Sequence, residues 1–136
     1  MKKLTVGGKF DWYIDTLEKS GMFILELSNE EIETFIFEDF IVGVTSFFSK
    51  NNLSELKANE IIDEDMEKNT YLLREKVLKI DNTDLWNINS VRQSSEWLDI
   101  FRRSDELKRQ LKERWSDEEI EYLKHYNDYM LINEIT

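Results

Sequence analysis

The sequence predicts a mainly α fold, a compact single domain over residues 1–136 built as a bundle of about five to six helices. Residues 3–6 and 22–27 are open to a small N-terminal β element. Three observations carry this expectation. The 136-residue chain has no Pro, where average usage of about 5% would supply roughly seven, so its elements should run long and unbroken. Two stretches, Ser28-Asn29-Glu30-Glu31 and Ser116-Asp117-Glu118-Glu119, carry the Ser-x-x-Glu chemistry that starts helices: the hydroxyl accepts a backbone N–H and the carboxylate reaches back to another. Apolar residues recur at helical spacing along most of the chain.

Phe10, Tyr13, Ile14 and Leu17 fall at i, i+3, i+4, i+7, the stripe of an amphipathic helix, and Ser20-Gly21 is a stop signal. The flanking segments KLTV (3–6) and MFILEL (22–27) are short and apolar enough to be strands. The first capping box then opens a helix from about 29 to about 50. Ile32, Phe35, Ile36, Phe40, Gly43 and Phe47 share one face of it, and Phe37, Ile41, Val44 and Phe48 a second. A helix apolar on two faces sits centrally in a core. Strand is the rival over residues 35–44, where β-branched and aromatic residues abound; the cap and the length favour helix.

Asn51-Asn52 breaks that pattern, and Ser54 is placed to cap a helix carrying Leu56, Ile61 and Ile62. Asp63-Glu64-Asp65 interrupts or exposes it. Tyr71, Leu72, Leu73, Val77, Leu78 and Ile80 mark the next helix, from Met66 to Ile80. After the Asp81–Asp84 punctuation, residues 85–103 read as helix with a break near Ser94-Ser95, and residues 105–115 continue it. The second capping box opens a last helix to about Leu131.

Composition excludes several chemistries. There is no Cys and one His, so a disulfide scaffold, a thiolate site or a structural zinc site has no ligands, and we expect no metal and no cofactor. Asp63, Asp65 and Glu67 imitate the first ligands of a calcium loop, but Lys68 and Arg74 stand where its turn glycine and bidentate Glu belong. No glycine-rich phosphate loop is present. His125 has no identifiable nucleophile or orienting group, so no catalytic residue is assigned and the chain is expected not to be an enzyme. The longest apolar run, Phe40–Val44, is far short of the ~20 residues a membrane helix needs. We expect a cytoplasmic protein with no membrane contact.

The formal net charge is −11, from 18 Lys and Arg against 29 Asp and Glu. Such a chain repels nucleic acid and attracts basic partners. Residues 101–115 reverse the balance, with 6 basic and 3 acidic side chains; this basic helix is expected to pair with the chain's own carboxylates. Two candidate partner-binding faces remain. One is the acidic cluster of Asp63, Glu64, Asp65 and Glu67. The other is the last helix, where Tyr122, Tyr126 and Tyr129 fall at i, i+4, i+7 beside Glu119. Tyr is a rigid amphipathic anchor, and carboxylates complement a basic target. The expected function is therefore that of a small acidic binding protein that blocks a basic protein such as a nuclease toxin. Immunity proteins and antitoxins have this physical profile. The alternative is a non-catalytic regulatory or scaffold subunit of a larger assembly. The sequence does not fix the oligomeric state.

Overall fold

A computed structural model describes residues 5–125. Seven helices follow one another within that span, and no strand occurs among the described residues. Helix α1 is Val6–Glu18. The hydroxyl of Thr5 caps it by accepting the Gly8 N–H at 2.9 Å. Thr5 and Val6 thus belong to a helix start and not to a strand, while residues 3 and 4 lie outside the described residues. The second candidate strand is also helical: Met22–Glu26 is a short 3-10 helix. Its apolar strand tendency is overridden by the tertiary setting, in which Ile24 is buried and the Met22 N–H donates to Asp105 at 3.1 Å. Gly21 makes the approach possible. Its φ is 156°, and a Cβ there would sit 2.3 Å from the Asp105 carboxylate.

Helix α2 spans residues 29–47 and starts from the Ser28 capping box, both halves of which form. Residues 35–44 are helix, not strand. Asn29–Ile32 and Ile41–Phe47 are α-helical, but Glu33–Phe40 between them is a π-helix. This looser winding explains which residues are buried. Ile32, Ile36, Phe40, Val44 and Phe48 are all fully buried, at a spacing of four. In an α-helix a spacing of four drifts by about 40° per step, which would spread these residues over two faces. The wider turns keep them on one.

Helix α3, Lys50–Ala58, starts from Ser49 rather than from Ser54, because the Ser49 hydroxyl accepts the Asn52 N–H at 3.3 Å. Its end is a Schellman motif. Ile61 N–H reaches Leu56 O at 3.0 Å, Glu60 N–H reaches Lys57 O at 2.9 Å, and Glu60 takes the left-handed conformation, φ 61°, that Gly usually fills. Two groups from far along the chain hold this turn. Arg114 Nε and Trp115 Nε1 both donate to Ile61 O, at 3.2 and 2.8 Å.

Helix α4, Glu64–Ile80, is capped by Asp63, whose carboxylate accepts the Met66 N–H at 2.8 Å. Short α5, Ile88–Gln93, precedes α6, Ser95–Arg114; Ser94 ends the first and caps the second. The break expected near Ser94-Ser95 occurs, and it divides α5 from α6 to give seven helices among the described residues. Helix α7, Asp117–Leu123, starts from the second capping box and ends at its Lys124 cap, short of the expected Leu131, where the Lys124 N–H turns back to Ile120 O; residues 126–131 lie outside the described residues. The core sits where α1, α2, α4 and α6 meet. Tyr13 is buried there, its hydroxyl 2.8 Å from Thr70 Oγ1. Thr70 donates to Met66 O at 2.7 Å, so Tyr13 is the donor in the shared bond. Burial pushes its phenol pKa above the ordinary range. A second aromatic group links α2 to α6, with Phe37, Trp86 and Trp97 in mutual ring contact and Trp97 Nε1 bonded to Leu85 O at 2.7 Å.

Candidate functional site

The residues singled out from the sequence fare unequally. Asp63, Glu64 and Asp65 are exposed around the first turn of α4, where carboxylates complement the helix dipole. Asp63 is committed to its cap and lies 3.9 Å from Arg114. Glu67 is half-buried and 3.7 Å from Lys57. This cluster is thus largely the start of a helix. Glu119 is the reciprocal half of a capping box and accepts the Ser116 N–H at 2.9 Å. That backbone bond, seconded by the Ser116 hydroxyl, holds its carboxyl below the usual range. Tyr122 is 50% exposed. Tyr126 and Tyr129 lie outside the described residues, so the tyrosine stripe is represented by its first member. The Arg114–Trp115 clasp on residues 60 and 61 brings the start of α4 and the start of α7 to the same end of the bundle.

Most cations of α6 are engaged within the molecule, Arg102 being the exception among them. Arg103 meets Asp99 at 3.0 Å, Lys108 meets Asp105 at 3.2 Å, Arg109 bridges Glu106 and Glu113, and Lys112 meets Asp117 at 2.9 Å. Glu106 is held below its usual range by Arg109, whose own pKa is raised by the same bonds. Asp99 is likewise lowered, chiefly by Lys76 and then by Arg103. Each of these pairs is surface-exposed and contributes little individually. Their consequence is electrostatic: most cations of the basic segment face the chain's own carboxylates, and the negative excess stays elsewhere on the surface.

A third face combines apolar surface with carboxylates, and it was not singled out from the sequence. Helices α1 and α2 cross at Gly43, where a Cβ would lie 2.1 Å from Thr16 Oγ1 and 2.8 Å from Thr16 Cβ. Thr16 is pinned in turn, donating to Trp12 O at 2.8 Å. The close crossing brings Trp12 of α1 against Phe47 of α2, with ring planes 6° from parallel and centroids 5.2 Å apart. Trp12 is nevertheless 47% exposed and neighbouring Val42 60%. The indole N–H of Trp12 bonds no protein group among the described residues. A groove of about 240 Å³ runs between them, edged by Asp15, Glu38 and Asp39, with Lys19 as its one cation. Lys19 is occupied by Asp39 at 3.7 Å and by the Phe35 ring at 4.9 Å. Asp15 and Glu38 meet no cation within ion-pair distance among the described residues.

A signal for this face was present in the sequence. Trp12 falls off the Phe10-Tyr13-Ile14-Leu17 stripe, and a large aromatic outside a buried stripe needs a separate reason. Phe47 was assigned to a buried face, and the π-helical stretch turns it to the edge.

Among the described residues no group of His, Asp or Glu is placed to hold a metal ion, and no helix is long and apolar enough to cross a membrane. Comparison with protein-family models, curated proteins and solved structures finds no significant match.

Proposed function

We propose that this chain is a small acidic binding protein that blocks the cationic surface of a basic target protein, a nuclease toxin being the class whose chemistry fits best. Its role is non-catalytic, and it acts as an intact protein in the manner of an immunity protein or antitoxin. One observation carries the reading: exposed Trp12 and Val42 and half-buried Phe47 form an apolar face edged by Asp15 and Glu38, which meet no cation among the described residues, and by Asp39, which meets Lys19. Aromatic rings supply desolvated anchor area at low entropic cost. Carboxylates around them steer a basic surface in and reject acidic ones. The net charge of −11 extends the steering beyond the contact itself. On this reading the target's nucleic-acid cleft is covered by carboxylates that take the place of phosphates, and the chain itself touches no nucleic acid.

Affinity capture from the native host, followed by an assay of the captured protein, tests this. The expected partner is basic, loses its activity at stoichiometric amounts of this chain, and associates more slowly as salt rises. A partner held without salt dependence and without loss of activity would overturn the reading in favour of a scaffold subunit.

A further inference from the structure

We propose, resting on the reading above, that the groove beside Trp12 takes an arginine side chain of the basic partner, its guanidinium lying against the indole within reach of Asp15 and Glu38. The size of the groove argues for a side chain. At about 240 Å³ it is smaller than the roughly 300–1,000 Å³ of small-molecule pockets. Its chemistry argues for a cation with an apolar stem: Val42 and the bare backbone of Gly43 offer apolar wall, while the carboxylates stand at the edge.

The choice of arginine over lysine follows from the aromatic pair. Phe47 covers one face of the Trp12 indole in near-parallel stacking, and the residue still keeps nearly half its surface outside. A planar, weakly hydrated guanidinium stacks on such a surface and keeps its in-plane donors for carboxylates. A compact ammonium gains the charge and loses the stacking. The site is also pre-organised. The Gly43–Thr16 contact and the Thr16 bond to Trp12 O fix the backbone that carries the ring, so little order is lost on binding. The neighbouring cation does not compete, because Lys19 is held between Asp39 and Phe35.

The test measures binding of the whole chain to labelled oligoarginine and oligolysine peptides of equal length, at physiological salt, with the Trp12 indole N–H followed by NMR. The expected result is an arginine preference of about three- to tenfold, the size of a cation–π contact at a partly exposed site. The Trp12 signal should move on binding. Trp12→Ala should abolish the preference, Tyr122→Ala should preserve it, and Asp15→Asn with Glu38→Gln should weaken both peptides while leaving the ring in place. That double variant keeps the test decisive if circular dichroism shows Trp12→Ala misfolded. Equal binding of both peptides, unchanged by either set of substitutions, would overturn the groove and leave the acidic-binder reading standing. Failure of both peptides to bind would overturn both. Self-association of the chain that disappears in Trp12→Ala would show a second copy in the groove, and would overturn the arginine assignment.

Discussion

Two aromatic regions of this molecule differ in how completely their polar groups are satisfied. Between α2 and α6, Trp97 is fully buried, its indole N–H is bonded to Leu85 O, and three other aromatic rings surround it. Between α1 and α2, Trp12 has one stacked neighbour, no protein acceptor for its N–H among the described residues, and two carboxylates beside it, Asp15 and Glu38, without cations among the described residues. Aromatic content alone does not separate the two. What separates them is how far the hydrogen bonds close within the chain: Trp97 is buried with its indole N–H bonded, while Trp12 is half-exposed with an N–H that bonds no protein group among the described residues.

The largest expected effect would break this comparison outright if it failed. Trp97→Ala should cost about 3–5 kcal/mol of stability, by the transfer and cavity terms of a buried aromatic. Trp12→Ala should stay within about 0.5 kcal/mol of wild type, as surface changes do. Urea unfolding of the two variants checks both, and similar losses would erase the distinction. Gly43→Val sits between the regions. Its side chain has no room against Thr16, so stability should fall by about 1–3 kcal/mol through overpacking. Near-UV circular dichroism should also register the parting of Trp12 from Phe47.

Glu60→Gly should act in the opposite direction. It relieves a left-handed backbone in the α3 cap and should add about 1 kcal/mol, visible as a higher melting temperature. The smallest effect is a dependence on pH. Asp99 has a lowered carboxyl pKa, with Lys76 the main cause and Arg103 next, so its stabilisation is present above the unfolded value of about 3.9 and disappears as pH falls through the native one. Asp99→Asn should flatten that part of the acid unfolding curve and leave neutral stability nearly unchanged.

Helix starts were the most legible part of the fold. Ser28 and Ser116 act as read, because a capping box is a local reaction between four residues. Asp63 was placed in a break and proved to be a cap, the same chemistry with a carboxylate. Helix α2 was legible as a helix but not in its winding. An α period divides Ile32, Ile36 and Phe40 from Val44 and Phe48, and only the π-helical stretch unites them; nothing local in the sequence demands that choice, which is made by packing against α1 and α4. The candidate site was less legible. Charge drew attention to Asp63, Glu67 and Glu119, which are engaged as helix caps and an ion pair, and to Glu64 and Asp65, which stand exposed in the first turn of α4. The face at Trp12 depends on a glycine in α2 meeting a threonine in α1, a contact that no spacing rule along one helix can reveal.

The carbonyl of Ile61 has one further consequence. Both its lone pairs are taken by donors 53 and 54 residues downstream. Drawing together ends so far apart costs chain entropy that is repaid only when α6 is wound to its last turn. The bend between α3 and α4 therefore gains its full set of hydrogen bonds only once the end of α6 is in place.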